Sequence, residues 1–329
     1  MTKRARRFLI TGGAGFIGSH LCDLLIREGH EVVAIDNLST GSADNLRQLA
    51  RHERFQFVRA DVMDEIALNH QASRAHVIVH LAAAVGVRLI VERPVHTIET
   101  NILGTEAVLK AGLRYGTRVM LASTSEVYGK GIKLPFSEDD DVLLGPTNKS
   151  RWAYAASKMV DEFLGLAYQR EYGLDVIPVR LFNTVGPRQT GQYGMVIPTF
   201  VRQAMAGKPL TVFGDGMQQR CFCHVRDVVQ ALLGLAECEA ASGRLFNVGG
   251  TEEVSILQLA ERVNELVGNA AGVELVPYSE AYAPGFEDMT RRKPDIERIE
   301  QQIGWKPTAS LDAILRDVWE HEKQNGQGA

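Results

Sequence analysis

Four cysteines among 329 residues are too sparse for a disulfide scaffold. Aromatics make up 7% of the chain, and no apolar run approaches the roughly 20 residues of a membrane-spanning helix. The formal charge of −4 offers no cationic surface for nucleic acid. The basic stretch Lys3-Arg4-Ala5-Arg6-Arg7 is short and reads as a solvated tail. It runs straight into an apolar strand pattern, without the core and cleavage site of a signal peptide, so a cytoplasmic setting is expected. Cys221 and Cys223, two apart, would share a face of one strand, and His224 alone does not complete a metal site; no metal is expected. The acidic cluster Ser137-Glu138-Asp139-Asp140-Asp141 reads as a solvated loop. What the chain does have is an ordinary globular core, 45% apolar, long enough for one large domain or two intimate ones.

The most specific local pattern is Gly12-Gly13-Ala14-Gly15-Phe16-Ile17-Gly18. The apolar run Arg7–Thr11 precedes it as a buried strand, and an amphipathic helix follows from Phe16. On such a strand–turn–helix, Gly12 permits the tight turn, and Gly15 lets backbone approach a pyrophosphate. Gly18 allows close packing of helix on strand, and the helix N-terminus presents unpaired N–H groups. A second strand, residues 31–35, leads to Asp36-Asn37. The Asp36 carboxylate suits a ribose 2′-hydroxyl and repels a 2′-phosphate, which favours NAD over NADP. Gly12, Gly15, Phe16, Ile17, Asp36 and Asn37 are therefore cofactor-binding candidates.

Strands are expected at 7–11, 31–35, 55–59, 76–80, 118–122 and 174–180. Helices are expected at 16–28, 44–51, 64–70, 94–114 and 150–171. Alternation of this kind builds an α/β, doubly wound parallel sheet. Past residue 181 the rhythm changes, with helical stretches at 196–206, 225–236, 255–267, 295–302 and 310–323. Residues 1–181 are expected to form the cofactor-binding domain. Residues 182–329 would form mainly a smaller substrate lobe, with 222–250 returning to the first domain.

Tyr154 and Lys158 lie four apart on the expected helix 150–171 and so share a face. A tyrosine titrates at about 10, and bringing it to about 7 requires roughly 4 kcal/mol of preferential phenolate stabilisation. A nearby ammonium and a cationic nicotinamide can supply it. The phenolate could then act as general base on an alcohol while hydride leaves to NAD. Ser123-Thr124-Ser125 places hydroxyls at the end of a strand, where they could bond the reacting oxygen.

Taken together, these motifs resemble the extended short-chain dehydrogenase/reductases that remodel nucleotide sugars. Further landmarks of that resemblance are Asp61-Val62, His80-Leu81-Ala82-Ala83 and Ser123-Thr124-Ser125-Glu126-Val127-Tyr128-Gly129. By resemblance, Asp61 and Val62 lie at the adenine, and Leu81, Ala82 and Ala83 near the phosphates and ribose. Asn101, Ser123, Tyr154, Lys158 and Phe182 complete the expected cofactor set. The second half is most similar to the UDP-glucuronate decarboxylases, through Gly145–Tyr154, Leu181–Arg188, Arg220-Cys221-Phe222-Cys223 and Arg291-Arg292-Lys293-Pro294-Asp295. Two stretches depart from them: Gln189-Thr190-Gly191-Gln192-Tyr193-Gly194, and the epimerase-like Ala83-Ala84-Val85-Gly86-Val87.

The substrate implied is a UDP-sugar. Arg220 and Arg292 suit its oxyanions, because guanidinium forks match diphosphate and carboxylate alike. Phe213 could stack on uracil, and Asn183, Val196 and Leu210 are further contact candidates. The expected catalytic set is Tyr154, Lys158, Thr124, Ser125, Glu126 and Arg292. Oxidation at C4 would turn UDP-glucuronate into a β-keto acid that loses carbon dioxide readily. The same start could instead end in 4-epimerisation of UDP-glucose or UDP-glucuronate or in a 4,6-dehydration, and a further alternative is a catalytically silent, nucleotide-sensing regulator. Relatives pair through helices equivalent to 94–114 and 150–171, so a homodimer is expected.

Overall fold

Arg7–Thr11 forms the central strand β1 because its apolar side chains are covered on both faces, as parallel sheets require. The computed structural model describes residues 5–86, 93–190, 195–277, 280 and 289–326. Lys3 and Arg4, Val87, residues 191–194 and the side chain of Arg151 lie outside the described residues.

Around β1 the chain alternates through α1 (Phe16–Arg27), β2 (Glu31–Asp36), β3 (Phe55–Arg59), α2 (Glu65–Ala72) and β4 (Val77–His80). Next come α3 (Pro94–Tyr115), β5 (Arg118–Thr124), α4 (Ala153–Tyr172) and β6 (Val176–Leu181). A seven-stranded sheet results, ordered β11-β6-β5-β4-β1-β2-β3, where β11 is Phe246–Val248. Each of its neighbouring pairs is parallel. Strand order reverses between β1 and β4, the crevice where doubly wound sheets bind ligands. Helix α1 and a later helix, α6 (Val225–Glu237), pack on one face through Leu21, Leu25, Val228 and Leu232. Helices α2 and α3 cover the other through Leu68, Val108 and Leu109.

The rest of the chain builds a second core from α5 (Val196–Met205), β8 (Leu210–Phe213), α7 (Ile256–Val267) and α9 (Leu311–Gly326). Two smaller sheets sit here. β8 pairs with β13 (Val273–Val276), while β9 (Gln219–Cys221) lies between β12 (Glu253–Ser255) and β14 (Arg291–Arg292). The segment α8 (Glu297–Ile303) returns Ile299 to the first core.

Several details differ from the sequence reading. Residues 44–51 form a 3-10 helix, Ala43–Leu49, whose first turn is capped by the Ser42 hydroxyl accepting from the Asp44 N–H. The helix expected at 150–171 starts as a 3-10 turn, Ser150–Trp152, before α4 proper. Gly173, in the left-handed region at φ 69°, ends α4, so β6 starts only at Val176. Cys221 and Cys223 do not share a strand. The chain switches sheets at Phe222, and Cys223 enters β10 (Cys223–His224), paired with β7 (Thr184–Val185). Within the acidic cluster, Glu138 is buried and accepts from the Asn247 N–H at 2.8 Å. Burial raises its pKa.

Candidate active site

A cavity of about 1040 Å³ runs along the carboxyl ends of β1, β2, β4, β5 and β6 and continues under the second lobe. Its floor at one end is the glycine turn. The Gly12 N–H donates to the Ile35 carbonyl at 2.8 Å, and its φ of 71° suits a residue without Cβ. A Cβ at Gly12 would sit 2.7 Å from the Ala82 nitrogen, and one at Gly18 would sit 2.2 Å from the Gly12 carbonyl. The open N-terminus of α1, at Gly15, has no side-chain cap. These are the features a pyrophosphate cradle needs, so the chain's residues fit a dinucleotide.

Asp36 ends β2 and is 8% exposed at the cavity wall. Its two oxygens accept from the N–H groups of Ala14 (3.0 Å) and Leu38 (2.8 Å), which fixes the carboxylate's orientation. Next to it, the Asn37 amide donates to Asp61 at 2.7 Å, tying the ends of β2 and β3 together.

The catalytic candidates meet at the β5 end. Tyr154 and Lys158 from the first half of α4 line the cavity, as do Thr124, Ser125 and Glu126. The Thr124 hydroxyl accepts from the Glu126 N–H at 3.2 Å, capping the short turn that holds Ser125 and Glu126 in place. The Ser123 hydroxyl is committed elsewhere: it donates to buried Glu162 behind the wall. The Lys158 ammonium, 3% exposed, lies 3.1 Å from Asp161. Burial raises the Asp161 pKa, against the opposing pull of Lys158. His80, on β4, is held down at about 3 by burial and secondarily by Lys158, so it is neutral.

From the second lobe, β9 and β14 place Arg220 and Arg292 as register partners, both largely buried and both lining the cavity. Arg292 lies 3.8 Å from Glu126, and its guanidinium donates to the Asn183 side-chain carbonyl at 3.4 Å. The Asn183 amide in turn donates to the Cys221 carbonyl at 2.9 Å.

All the candidates named from sequence line this cavity except two. Leu210 is fully buried in the second core, and its neighbour Thr211 faces the cavity instead, as strand alternation dictates. Asn101 is also fully buried; it accepts from the Ala84 N–H at 2.9 Å and donates to Ser157 at 3.0 Å, so it supports the wall from behind. Sequence reasoning passed over Thr40 and Gln218 and quoted Gln189 and Phe222 only within motifs, yet all four line the space. Arg188 was quoted only within a motif. It adopts φ 68°, and its guanidinium binds Asp23 on α1 at 2.8 Å. That bond clasps the second-lobe loop to α1. Asp161, Glu162 and Arg180 were missed entirely, although their spacing from Tyr154 and Lys158 puts the two acids on the same helix face.

The family follows from the comparisons. The model of the NAD dependent epimerase/dehydratase family matches residues 8–249, and the chain belongs to that family. Among curated relatives, the UDP-N-acetyl-alpha-D-glucosaminuronate decarboxylase of Bacillus cytotoxicus is 40% identical, covering 97% of this chain and 99% of its own. The UDP-glucuronic acid decarboxylase 1 of Arabidopsis thaliana is 38% identical over 94% of this chain and 68% of its own. Among solved structures, the UDP-glucuronic acid 4-epimerase of Bacillus cereus, in complex with UDP-glucuronic acid and NAD, superposes with a TM-score of 0.87. It is 29% identical and covers 97% of this chain and 99% of its own.

Proposed function

We propose that the protein is an NAD-dependent UDP-glucuronate decarboxylase, acting through oxidation at the sugar C4. The observation that carries this reading is the meeting of Glu126 and Arg292 at 3.8 Å in the cavity that Tyr154 and Lys158 also line. The same stretch of cavity wall supplies base chemistry and a cation–acid pair suited to a substrate carboxylate. The decarboxylases similar at 38–40% identity support the same choice.

In this reading residues 1–181, with 222–250 returning, hold NAD, and most of 182–329 holds the nucleotide sugar. The strand β11 inserted beside β6 supports that division. Bound NAD supplies a reversible hydride acceptor beside C4. Tyr154 takes the C4 hydroxyl proton, and the Lys158 ammonium stabilises the phenolate that does so. Thr124 and Ser125 hydrogen-bond the reacting oxygen. The resulting 4-ketone is β to the carboxylate, so the C5–C6 bond breaks with its electron pair delocalised onto the C4 oxygen, and carbon dioxide leaves. Glu126 relays a proton to C5, and Arg292 holds and then releases the carboxylate. With NAD bound, re-reduction at C4 would give UDP-xylose, and release before it would give the 4-keto pentose. Arg220 and Asn183 bind the diphosphate, Phe213 stacks on uracil, and Val196 lines the nucleotide end.

The Bacillus cereus epimerase supports a second outcome, in which the ketone turns within the cavity and is reduced on its other face. Incubation with UDP-glucuronate and, separately, its 2-acetamido counterpart, followed by NMR of the product, separates the outcomes. UDP-xylose, its keto form or the acetamido analogue is the expected result. A C4-inverted hexuronate would overturn decarboxylation, and no reaction with either sugar would overturn the substrate class. Tyr154→Phe should abolish turnover and leave NAD binding intact.

The assembly proposed is a homodimer through α3 and α4. Val95, Leu103, Phe163 and Tyr172 are exposed along these helices, with Phe163 at 67%. Such a row of apolar side chains suits burial against a second copy. Among the described residues no helix is long and apolar enough to cross a membrane. With four free cysteines as well, a cytoplasmic setting is proposed.

A further inference from the structure

We infer that Asp161 is a positioning residue for the proton-transfer step, anchoring the Lys158 ammonium and supplying the counter-charge that keeps it charged inside the wall. The inference rests on the C4-oxidation reading above. It begins from an asymmetry: Lys158 lines the cavity, whereas Asp161, one helical turn on, does not. The ammonium therefore has a cavity side and a rear side, and the carboxylate occupies the rear at 3.1 Å.

Both side chains are almost wholly buried, at 3% and 2% exposure. A buried ion pair is a weak source of stability, because desolvation offsets most of the attraction. Two charges held at such a cost point to a need for a charged group at this wall. Among the described residues, Asp161 is the acid within ion-pair distance of Lys158. On α4, Glu162 is taken by Arg180 in a two-pronged bond and by the Ser123 hydroxyl. From β4, His80 is neutral. From α3, Asn101 is bonded to Ala84 and Ser157, and the Thr105 hydroxyl lies beside the Asp161 carboxylate without reaching hydrogen-bond geometry. Tyr154, a turn earlier on α4, is the acid whose phenolate the ammonium must stabilise. Without Asp161, the described residues offer Lys158 no counter-charge behind it.

The test is the pH profile of Asp161→Asn, which keeps shape and one acceptor and removes the charge. The basic limb of the wild-type kcat/KM profile is the reference. In Asp161→Asn that limb should move to lower pH by about one unit, a roughly tenfold loss at the high-pH end. Asp161→Glu should restore the limb even where kcat stays reduced. A second readout needs no sugar: NAD binding, followed by fluorescence titration at pH 7 and pH 9, should weaken at the higher pH in Asp161→Asn alone. An unshifted limb together with pH-independent NAD binding would overturn the inference. So would a uniform drop at every pH, which marks a structural role. If wild type turns over neither UDP-hexuronate, the functional reading fails by itself, and the NAD titration still decides the role of Asp161.

Discussion

The Glu162–Arg180 pair behind Ser123 allows a quantitative test of what holds the catalytic wall. Arg180 on β6 meets Glu162 through Nε at 2.9 Å and a terminal nitrogen at 2.7 Å, with both side chains 7% exposed. Burial works against the guanidinium charge, and Glu162 outweighs it, so the Arg180 pKa stands above its ordinary value. The guanidinium also lies 4.5 Å over the Tyr128 ring. Arg180→Met would leave a buried carboxylate with only the Ser123 hydroxyl, and Glu162→Leu would leave a buried cation. Each should destabilise by about 3–5 kcal/mol. The double variant removes both charges at similar volume, and should lie within about 2 kcal/mol of wild type. The coupling energy would then be at least about 4 kcal/mol, taken from urea denaturation midpoints and slopes. Additive losses in the double variant would refute the reasoning, because they would mean that neither charge depends on the other.

Two further outcomes follow from the geometry. His80 is held neutral at about 3, so an unfolded chain binds a proton there below about 6.5 and the folded one does not. Its contribution is complete above about pH 6.5 and shrinks as pH falls toward about 3. At pH 5 the loss is about 2 kcal/mol, and His80→Asn should lose that much less stability between pH 7 and pH 5 in parallel denaturation series. Gly18→Ala would put a methyl 2.2 Å from the Gly12 carbonyl, so α1 must shift off the turn; NAD affinity by titration calorimetry should fall at least about tenfold, by the scale of a ~1.4 kcal/mol misfit.

How much was legible follows from which physical signals are local. An apolar run ending in glycine located β1 and the turn to α1, and a second ending at Asp36 located β2, because burial on both faces needs near-continuous hydrophobics. Tyr154 and Lys158 were legible because helical spacing alone puts them together. Leu210 was misplaced because a strand alternates faces, and the phase of β8 is set by a core that sequence does not display. Asn101 was placed at the cofactor because its type and position suited a ligand, whereas its amide is spent on the chain itself. Asp161, Glu162 and Glu138 stayed hidden because acids are usually solvated. A buried acid shows itself only by the partner it meets: for Glu162 and Glu138 these are Arg180 and Asn247, distant in sequence, whereas Lys158 lies one turn from Asp161. The periodicity 154, 158, 161/162, 165 was available as a signal, since Gly165 continues the same buried face.

The small sheet β12–β9–β14 gathers Glu253, Arg220 and Arg292 from three separated stretches of chain. Its third strand comes only at Arg291–Arg292, long after β9 and β12 in the chain. A nascent chain emerging in order can already form β1–β6 and most of the dinucleotide cradle, but not the twin-guanidinium wall opposite. A chain interrupted before that point would keep the glycine turn at Gly12 and lack the paired Arg220 and Arg292 that line the cavity from the second lobe.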